Sequence, residues 1–244
     1  MEIFEPLPEN WPLLSERAEL EAVQGEVMDR LWKEGWRHFG AQFFRYSLMW
    51  QEERWKRVFP LRLSLAAWKM SKSQRRTWRR NEDVEVQVEP AQPGGEERDL
   101  FHRHKERFRD NVPENLEVFL GEQPNGIPCE CRQVSVRLEG RLIAASYLDV
   151  GKRSCSSIYA FFDLEESRRR LGVFTMLAEL AYARERGLDF YYSGYATVEQ
   201  SPYDYKKEVR GIEWWPWRGG WDVLSESSAT VVPDEEANEE QGGR

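Results

Sequence analysis

The sequence predicts a mixed α/β protein in two parts, and three observations carry that prediction. Residues 98–224 read in a fixed order of helix, helix, three strands, a basic turn into a helix, and a further strand. Residues 1–90 hold shorter elements that are rich in aromatic and basic side chains. Between them, EPAQPGGEE (Glu89 to Glu97) combines Pro, Gly and acid with no apolar residue larger than Ala, so a linker is expected at 91–97.

In the first part, Leu20, Val23, Val27 and Leu31 share one helical face, which predicts a helix over Ser15 to Lys33, capped by Ser15 and ended by Gly35. Ala41 to Trp50 and Phe59 to Leu65 read as strands. Ser71 is placed to cap a short basic helix in SKSQRRTWRRN. In the second part, Asp99 to Arg109 reads as a charged amphipathic helix and Asn115 to Leu120 as a shorter one. Strands are expected over Cys131 to Leu138, Leu142 to Val150 and Ser156 to Phe162, the first two joined by the turn Glu139 to Arg141. Val173, Met176, Leu177, Leu180 and Ala183 then supply a helix face, Gly187 ends it, and LDFYYSG reads as a buried strand. The acidic segment 225–244, with Glu226, Asp234, Glu235, Glu236, Glu239 and Glu240 against Arg244, has no apolar period and is expected to be disordered.

Composition narrows the function classes. No stretch approaches the roughly 20 apolar residues of a membrane span, and the acidic, Pro-containing start MEIFEPLPEN does not read as a signal peptide. The 3 Cys form no disulfide framework, so a reduced, cytoplasmic protein is expected. The pairs Cys129/Cys131 and His102/His104 are spaced one residue apart, unlike structural zinc sites, and no metal is expected.

Net charge is −8, yet its distribution is uneven. From Arg54 to Arg80 there are ten Lys or Arg and no Asp or Glu, a local field that steers anionic ligands whatever the net charge. A second basic element, SRRRLG, opens the helix after the third strand, where free N–H groups and the helix dipole favour an anion.

The order of elements and the turn Arg169-Arg170-Leu171-Gly172 resemble acyltransferases of the GNAT superfamily. Phe174 stands where their pyrophosphate turn carries a small residue, which argues against coenzyme A. Longer blocks resemble the arginyl-tRNA–protein transferases: Gly35-Trp36-Arg37 with Gly40, SKSQRR (Ser71 to Arg76), Phe161 to Gly172, Tyr191 to Tyr195, and Tyr203 to Lys206. The resemblance covers roughly residues 30 to 221. That family moves an amino acid from tRNA to a protein N-terminus. Its N-domain carries Cys pairs that bind a metal or iron–sulfur group. Here no Cys precedes Cys129, and Arg57 and Val58 stand before Phe59-Pro60.

The resemblance implies a GNAT-like catalytic domain, aminoacyl-tRNA as co-substrate, no further cofactor, acceptor proteins with acidic N-termini, and no DNA or membrane partner. Arg is the expected transferred residue, with Leu left open. Lys72, Ser73, Gln74, Arg75, Arg76, Arg79, Arg169, Arg170 and Gly172 are the tRNA-binding candidates, since Lys and Arg assisted by Ser and Gln suit phosphates. Trp68 and Trp78 are candidates for stacking on an unpaired base. Arg37, Tyr205 and Lys206 are candidates for holding an acidic acceptor. Asp163, Tyr192 and Asp204 are the candidate proton acceptors or orienters, with backbone N–H groups of Ala160 to Asp163 as the oxyanion donors. Two rival readings are an acyl-CoA-dependent N-acyltransferase and a non-catalytic paralogue that binds acidic N-termini or RNA.

Overall fold

A computed structural model describes residues 10–109 and 112–225. Beyond Ser225, the expected acidic tail lies outside the described residues. The first part yields β1 (Ser15–Glu19), α1 (Gly25–Lys33), β2 (Arg37–Phe39), β3 (Gln42–Tyr46), β4 (Leu48–Gln51), β5 (Arg54–Ser64), α2 (Lys72–Arg80) and β6 (Glu85–Pro90). The second begins with α3 (Gly95–Lys105), α4 (Glu117–Leu120), β7 (Glu130–Leu138), β8 (Arg141–Val150) and β9 (Ser154–Phe162). A 3-10 turn over Leu164–Arg169 leads into α5 (Leu171–Glu185) and β10 (Phe190–Thr197). A second 3-10 turn, Asp204–Lys206, precedes β11 (Ile212–Trp214) and β12 (Asp222–Val223). Among the described residues, no helix is long and apolar enough to cross a membrane.

Among the described residues, nine strands share one sheet in the order β12-β11-β5-β10-β9-β8-β7-β6, with β4 added onto β5, while β1-β3-β2 form a small second sheet. Every pairing in the large sheet is antiparallel except β9 with β10. The parallel pair of this mixed sheet positions the site. On one face α5 contributes Met176, Leu177, Leu180 and Ala183, packed with Phe59, Leu61, Leu63 and Trp214. On the other, α1 buries Met28 and Trp32 against Phe43 and Tyr192, and α3 buries Leu100 and Phe101 against Tyr147 and Phe161.

The structure departs from the expected elements where tertiary pairing overrides local period. The helix expected over Ser15 to Lys33 is a strand, β1, followed by α1. Residues 15–19 alternate in exposure and pair with β3 from Ser15↔Tyr46 to Glu19↔Gln42, so a period of two wins there. The single strand expected over Ala41 to Trp50 is two, broken at fully buried Ser47. Its carbonyl accepts from Trp11 Nε1 at 2.8 Å and from the Val58 amide at 2.7 Å. The expected strand Phe59 to Leu65 belongs to the longer β5. Residues 91–97, read as a linker, run from the end of β6 into α3. Buried Ala91 donates its amide to the Cys131 carbonyl at 2.9 Å, and Glu97 accepts from the Gly94 amide at 2.8 Å. The chain on both sides of this segment contributes strands to the one large sheet.

The ten-cation block is partly neutralised by acids distant in sequence. Lys56 pairs with Glu52, Arg57 with Glu199 and Arg62 with Glu213, at 2.7, 2.8 and 2.6 Å. The uncompensated charge is therefore concentrated on α2 rather than spread from residue 54.

Candidate active site

The parallel pair β9–β10 is short. Phe190, Tyr191 and Tyr192 pair with Ser154, Cys155 and Ser156, and no further. Beyond that point β9 stays with β8 up to Phe162, while β10 follows β5 up to Thr197. A bulge at Ser193 and a positive φ of 96° at Gly194 turn β10 away. The sheet splits there, and the backbone groups along the split need new partners. Arg37, from β2, supplies one: its guanidinium donates to the Ser157 carbonyl, and also to the side-chain Oγ of Ser156. Lys206, from the 3-10 turn after β10, approaches the same place. A Cβ built on Gly194 would lie 3.5 Å from Lys206 Nζ and 3.7 Å from Arg37 Nη2. Glycine at 194 thus serves both the positive φ and the close approach of two cations.

Facing them is Glu179 on α5, which is 1% exposed. It accepts hydrogen bonds from the Tyr191 hydroxyl at 2.6 Å and from Ser157 Oγ at 3.4 Å. Burial pushes its carboxyl up to about 7, against the opposing pull of those hydrogen bonds and of the Lys206 charge. Burial, reinforced by the Arg37 charge, draws the Lys206 ammonium down to about 8, and Glu179 opposes this. Burial also lowers the Arg37 guanidinium from its ordinary value. Arg37 feels both Asp149 and Glu179, whereas Glu179 is the one carboxylate acting on Lys206, so an incoming anion would stabilise the Lys206 ammonium, and the group able to take a proton near neutrality lies beside it.

Residues 96–215 match the family model described as "Arginine-tRNA-protein transferase, C terminus". Through this stretch, the chain is similar to the C-terminal domain of the arginine-tRNA-protein transferases. It is 31% identical over 159 residues to an aspartate/glutamate leucyltransferase of Pseudomonas fluorescens (strain Pf0-1), covering 63% of this chain and 66% of that one. It is 32% identical over 165 residues to that of Stenotrophomonas maltophilia (strain R551-3), covering 63% and 64%. The matched region thus spans slightly less than two thirds of these relatives' length. The structure of L-PGS from Bacillus licheniformis aligns over 75% of this chain and 53% of its own, at a TM-score of 0.47 and 12% identity.

Of the residues expected to hold an acidic acceptor, the structure brings Arg37 and Lys206 together. Tyr205, next to Lys206, is half-buried against the core of the α5 face. The three expected proton acceptors do not share a site. Asp163 caps the 3-10 turn, accepting from the Glu165 amide at 3.0 Å and pairing with Arg141. It lies seven residues beyond Ser156, roughly 23 Å of extended chain from the split. Tyr192 points to the opposite face from Tyr191 and packs with Trp32 and Trp221, at ring separations of 6.1 and 5.9 Å. Asp204 caps its own turn through the Ser201 amide at 3.2 Å and pairs with Lys207 at 2.8 Å. Of the oxyanion donors expected over Ala160 to Asp163, the Asp163 amide is spent on the Ile143 carbonyl at 2.8 Å.

Sequence reading missed Glu179. Its signal was an acid set among Met176, Leu177, Leu180 and Ala183 on the apolar face of α5, where burial of a carboxylate demands a partner.

The tRNA-binding candidates divide into two groups. Lys72, Arg75, Arg76 and Arg79 are exposed on α2, and Arg170 is exposed beside them, donating to Ser73 Oγ at 3.0 Å. Gln74 is buried and completes the capping box of α2 with Ser71, so its amide is used internally. Arg169 is held by Asp83 at 2.8 Å and Glu166 at 3.0 Å, which raise its guanidinium further and leave it no free edge for a phosphate. Gly172 lets α5 approach Phe162, whose Cε1 would be 3.1 Å from an added Cβ. Its role is packing. Phe174 is 2% exposed and packs on Trp78, so it does not crowd the start of α5 as the sequence suggested. Trp68 is 2% exposed and Trp78 packs on the core, so neither offers a face to a base.

The Cys pairs of the family's N-domain have no counterpart. Arg57 is paired with Glu199, and Val58 is 1% exposed in the core; neither residue type can supply a thiolate. His102 and His104 lie on α3, where His104 is fully buried and bonded to Phe162, apart from Cys129 and Cys131.

Proposed function

We propose that this chain transfers an amino acid from aminoacyl-tRNA to the N-terminal α-amine of a protein that begins with Asp or Glu. The observation that carries this reading is the meeting of Arg37 and Lys206 at Gly194, with Glu179 beside Lys206. An acceptor side-chain carboxylate would pair with the buried Lys206 ammonium, and its α-amine would then lie near Glu179. The amine, with a reference pKa of about 7.7–8.0, attacks the ester carbonyl of the aminoacyl-tRNA. A C–N bond forms, the ester C–O bond breaks, and the tRNA terminal hydroxyl leaves with a proton. Glu179 is placed to take the proton lost by the attacking ammonium. The ester is already activated, so alignment and charge stabilisation supply the catalysis, and no further cofactor is invoked.

Leucine is our reading for the transferred residue, in place of the arginine expected from sequence. It rests on the printed names of the relatives in Pseudomonas fluorescens and Stenotrophomonas maltophilia. The exposed cations of α2 with Arg170 supply the phosphate contacts. The coenzyme A reading is weakened because Arg169, its leading phosphate ligand, is committed to Asp83 and Glu166.

The deciding experiment is a transfer assay with leucyl- and arginyl-tRNA in turn, and peptides beginning Asp, Glu, Asn or Lys. Label from leucyl-tRNA on Asp and Glu peptides alone is expected. Label from arginyl-tRNA alone would reassign the donor. Absence of transfer from both, by folded protein, would overturn the reading.

A further inference from the structure

A second cluster lies on the α1 face of the sheet and plays no part in the reaction above. His38 on β2, Cys129 just before β7 and Asp149 on β8 place their ligand atoms within 4.8 Å of one another. Their exposures are 4%, 6% and 2%. Cys131 stands directly opposite Asp149 in the β7–β8 register and is 1% exposed.

The hydrogen bonding of His38 is the informative part. Nδ1 lies 2.9 Å from the Gly40 carbonyl, which can only accept, so Nδ1 carries the proton. Nε2 is then a bare lone pair in the neutral ring, and it faces Asp149 Oδ2 at 2.5 Å. At that distance a proton lies between the two atoms, and a metal ion would replace that proton with the nitrogen and oxygen spread to about 3.3 Å, as bonds of about 2.0 Å in a tetrahedral site require. Phe43, stacked on the imidazole at 4.8 Å, fixes the ring plane. This matches the usual outer-shell arrangement of a metal-bound His, whose second nitrogen donates to a carbonyl. It also excludes a Cys–His nucleophile pair, because neither ring nitrogen is free to take the Cys129 proton. A cavity of about 680 Å³, lined by Gln24, Gly126, Pro128, Cys129 and Arg132 among others, reaches Cys129 from outside and offers an entry path.

We propose that His38 Nε2, Cys129 Sγ and Asp149 form a binding site for a thiophilic divalent cation of the zinc class, with the fourth position left to a water molecule or a ligand. The donor set is one nitrogen, one carboxylate and one sulfur, which suits Zn²⁺ and disfavours Mg²⁺ or Ca²⁺. The site would clamp β2 and its Arg37 to the large sheet, one residue from the proposed acceptor pocket. It does not depend on the transfer reaction.

The test uses the full chain, stripped with chelator and titrated with Co²⁺ and then Zn²⁺. One Co²⁺ per chain, with a thiolate-to-cobalt charge-transfer absorption that Zn²⁺ abolishes, is expected. Cys129→Ser should lower affinity by more than about 100-fold, beyond the cost of losing an outer-shell partner, whereas Cys155→Ser should leave it unchanged. No Co²⁺ binding by the folded wild-type chain would mean that His38 is an imidazolium paired with Asp149, and would overturn the proposal. So would Co²⁺ binding without the thiolate absorption. The wild-type spectrum decides even where Cys129→Ser fails to fold.

Discussion

The Tyr191 hydroxyl donates to Glu179 across 2.6 Å, tying β10 to α5 immediately before β10 leaves β9. This bond holds a fully buried carboxyl in place without lowering it to an ordinary acid, since Glu179 still titrates near 7. Replacing Glu179 with Gln keeps the shape and removes the proton acceptor. Transfer to Asp peptides should fall by about 10²- to 10⁴-fold in kcat. The rising limb of the pH–rate profile should move from near 7 to the amine's own limb at about 7.7–8.0. A limb unmoved in Glu179→Gln would remove Glu179 from that role.

Lys206 loses its proton near 8. Selectivity for Asp over Asn at the peptide terminus should therefore fade above that pH, with the neutral peptide unaffected. Lys206→Ala should raise KM for Asp and Glu peptides by about 30-fold or more, the lower end of the cost of one lost buried charge contact. Gly194→Ala should be worse than its single methyl suggests, because φ is 96° and both cations stand within 4 Å of the added carbon. The KM ratio for Asp and Asn peptides measures both.

Glu179 and His104 act in opposite directions on stability. The Glu179 carboxyl titrates near 7 when folded against an ordinary 4.5. Between those values the folded chain holds a proton that the unfolded chain has lost, so stability falls as pH rises, by roughly 3 kcal/mol in all. His104 titrates near 4 against an ordinary 6.5, because burial disfavours its charged form. In that window the unfolded chain binds the extra proton, so stability rises with pH by a similar, roughly 3 kcal/mol total. The two contributions oppose each other between about 4.5 and 6.5. Relative to wild type, His104→Gln should make the slope of stability against pH in this window more negative, and Glu179→Gln more positive. Urea midpoints across that range read the slope.

Arg76→Ala and Arg79→Ala should each lower the slope of log affinity for tRNA against log salt by about 1. Arg169→Ala should leave that slope unchanged and instead lower Tm, because it strands Asp83 and Glu166. Equal effects of all three on the salt slope would contradict the division of the basic residues made above.

Much of the second part of the fold was legible in sequence, because β7, β8, β9 and α5 carry their burial in their own period. Ser15 to Glu19 was not, since its alternation is weak and its identity as a strand depends on pairing with Gln42 to Tyr46. At the site, Arg37 and Lys206 were legible from the motifs around them. Glu179 was hidden in an apolar run. Asp163 and Asp204 were misleading because a capping carboxylate and a catalytic one look alike in sequence: both sit at element ends.

α2 and the basic turn before α5 are fastened at several points. Asn81 donates to the Arg169 carbonyl at 3.0 Å, Arg169 holds Asp83, Arg80 reaches the Arg168 carbonyl, and Arg170 reaches Ser73. Lys72 to Arg79 spans about 10 Å of helix axis, and Arg170 is set beside it by these links. The cations thus act as a gauge of fixed pitch. Such a surface sorts polyanions by whether their phosphates fall in step with it, so a flexible polyanion of equal charge should compete poorly with a folded acceptor stem.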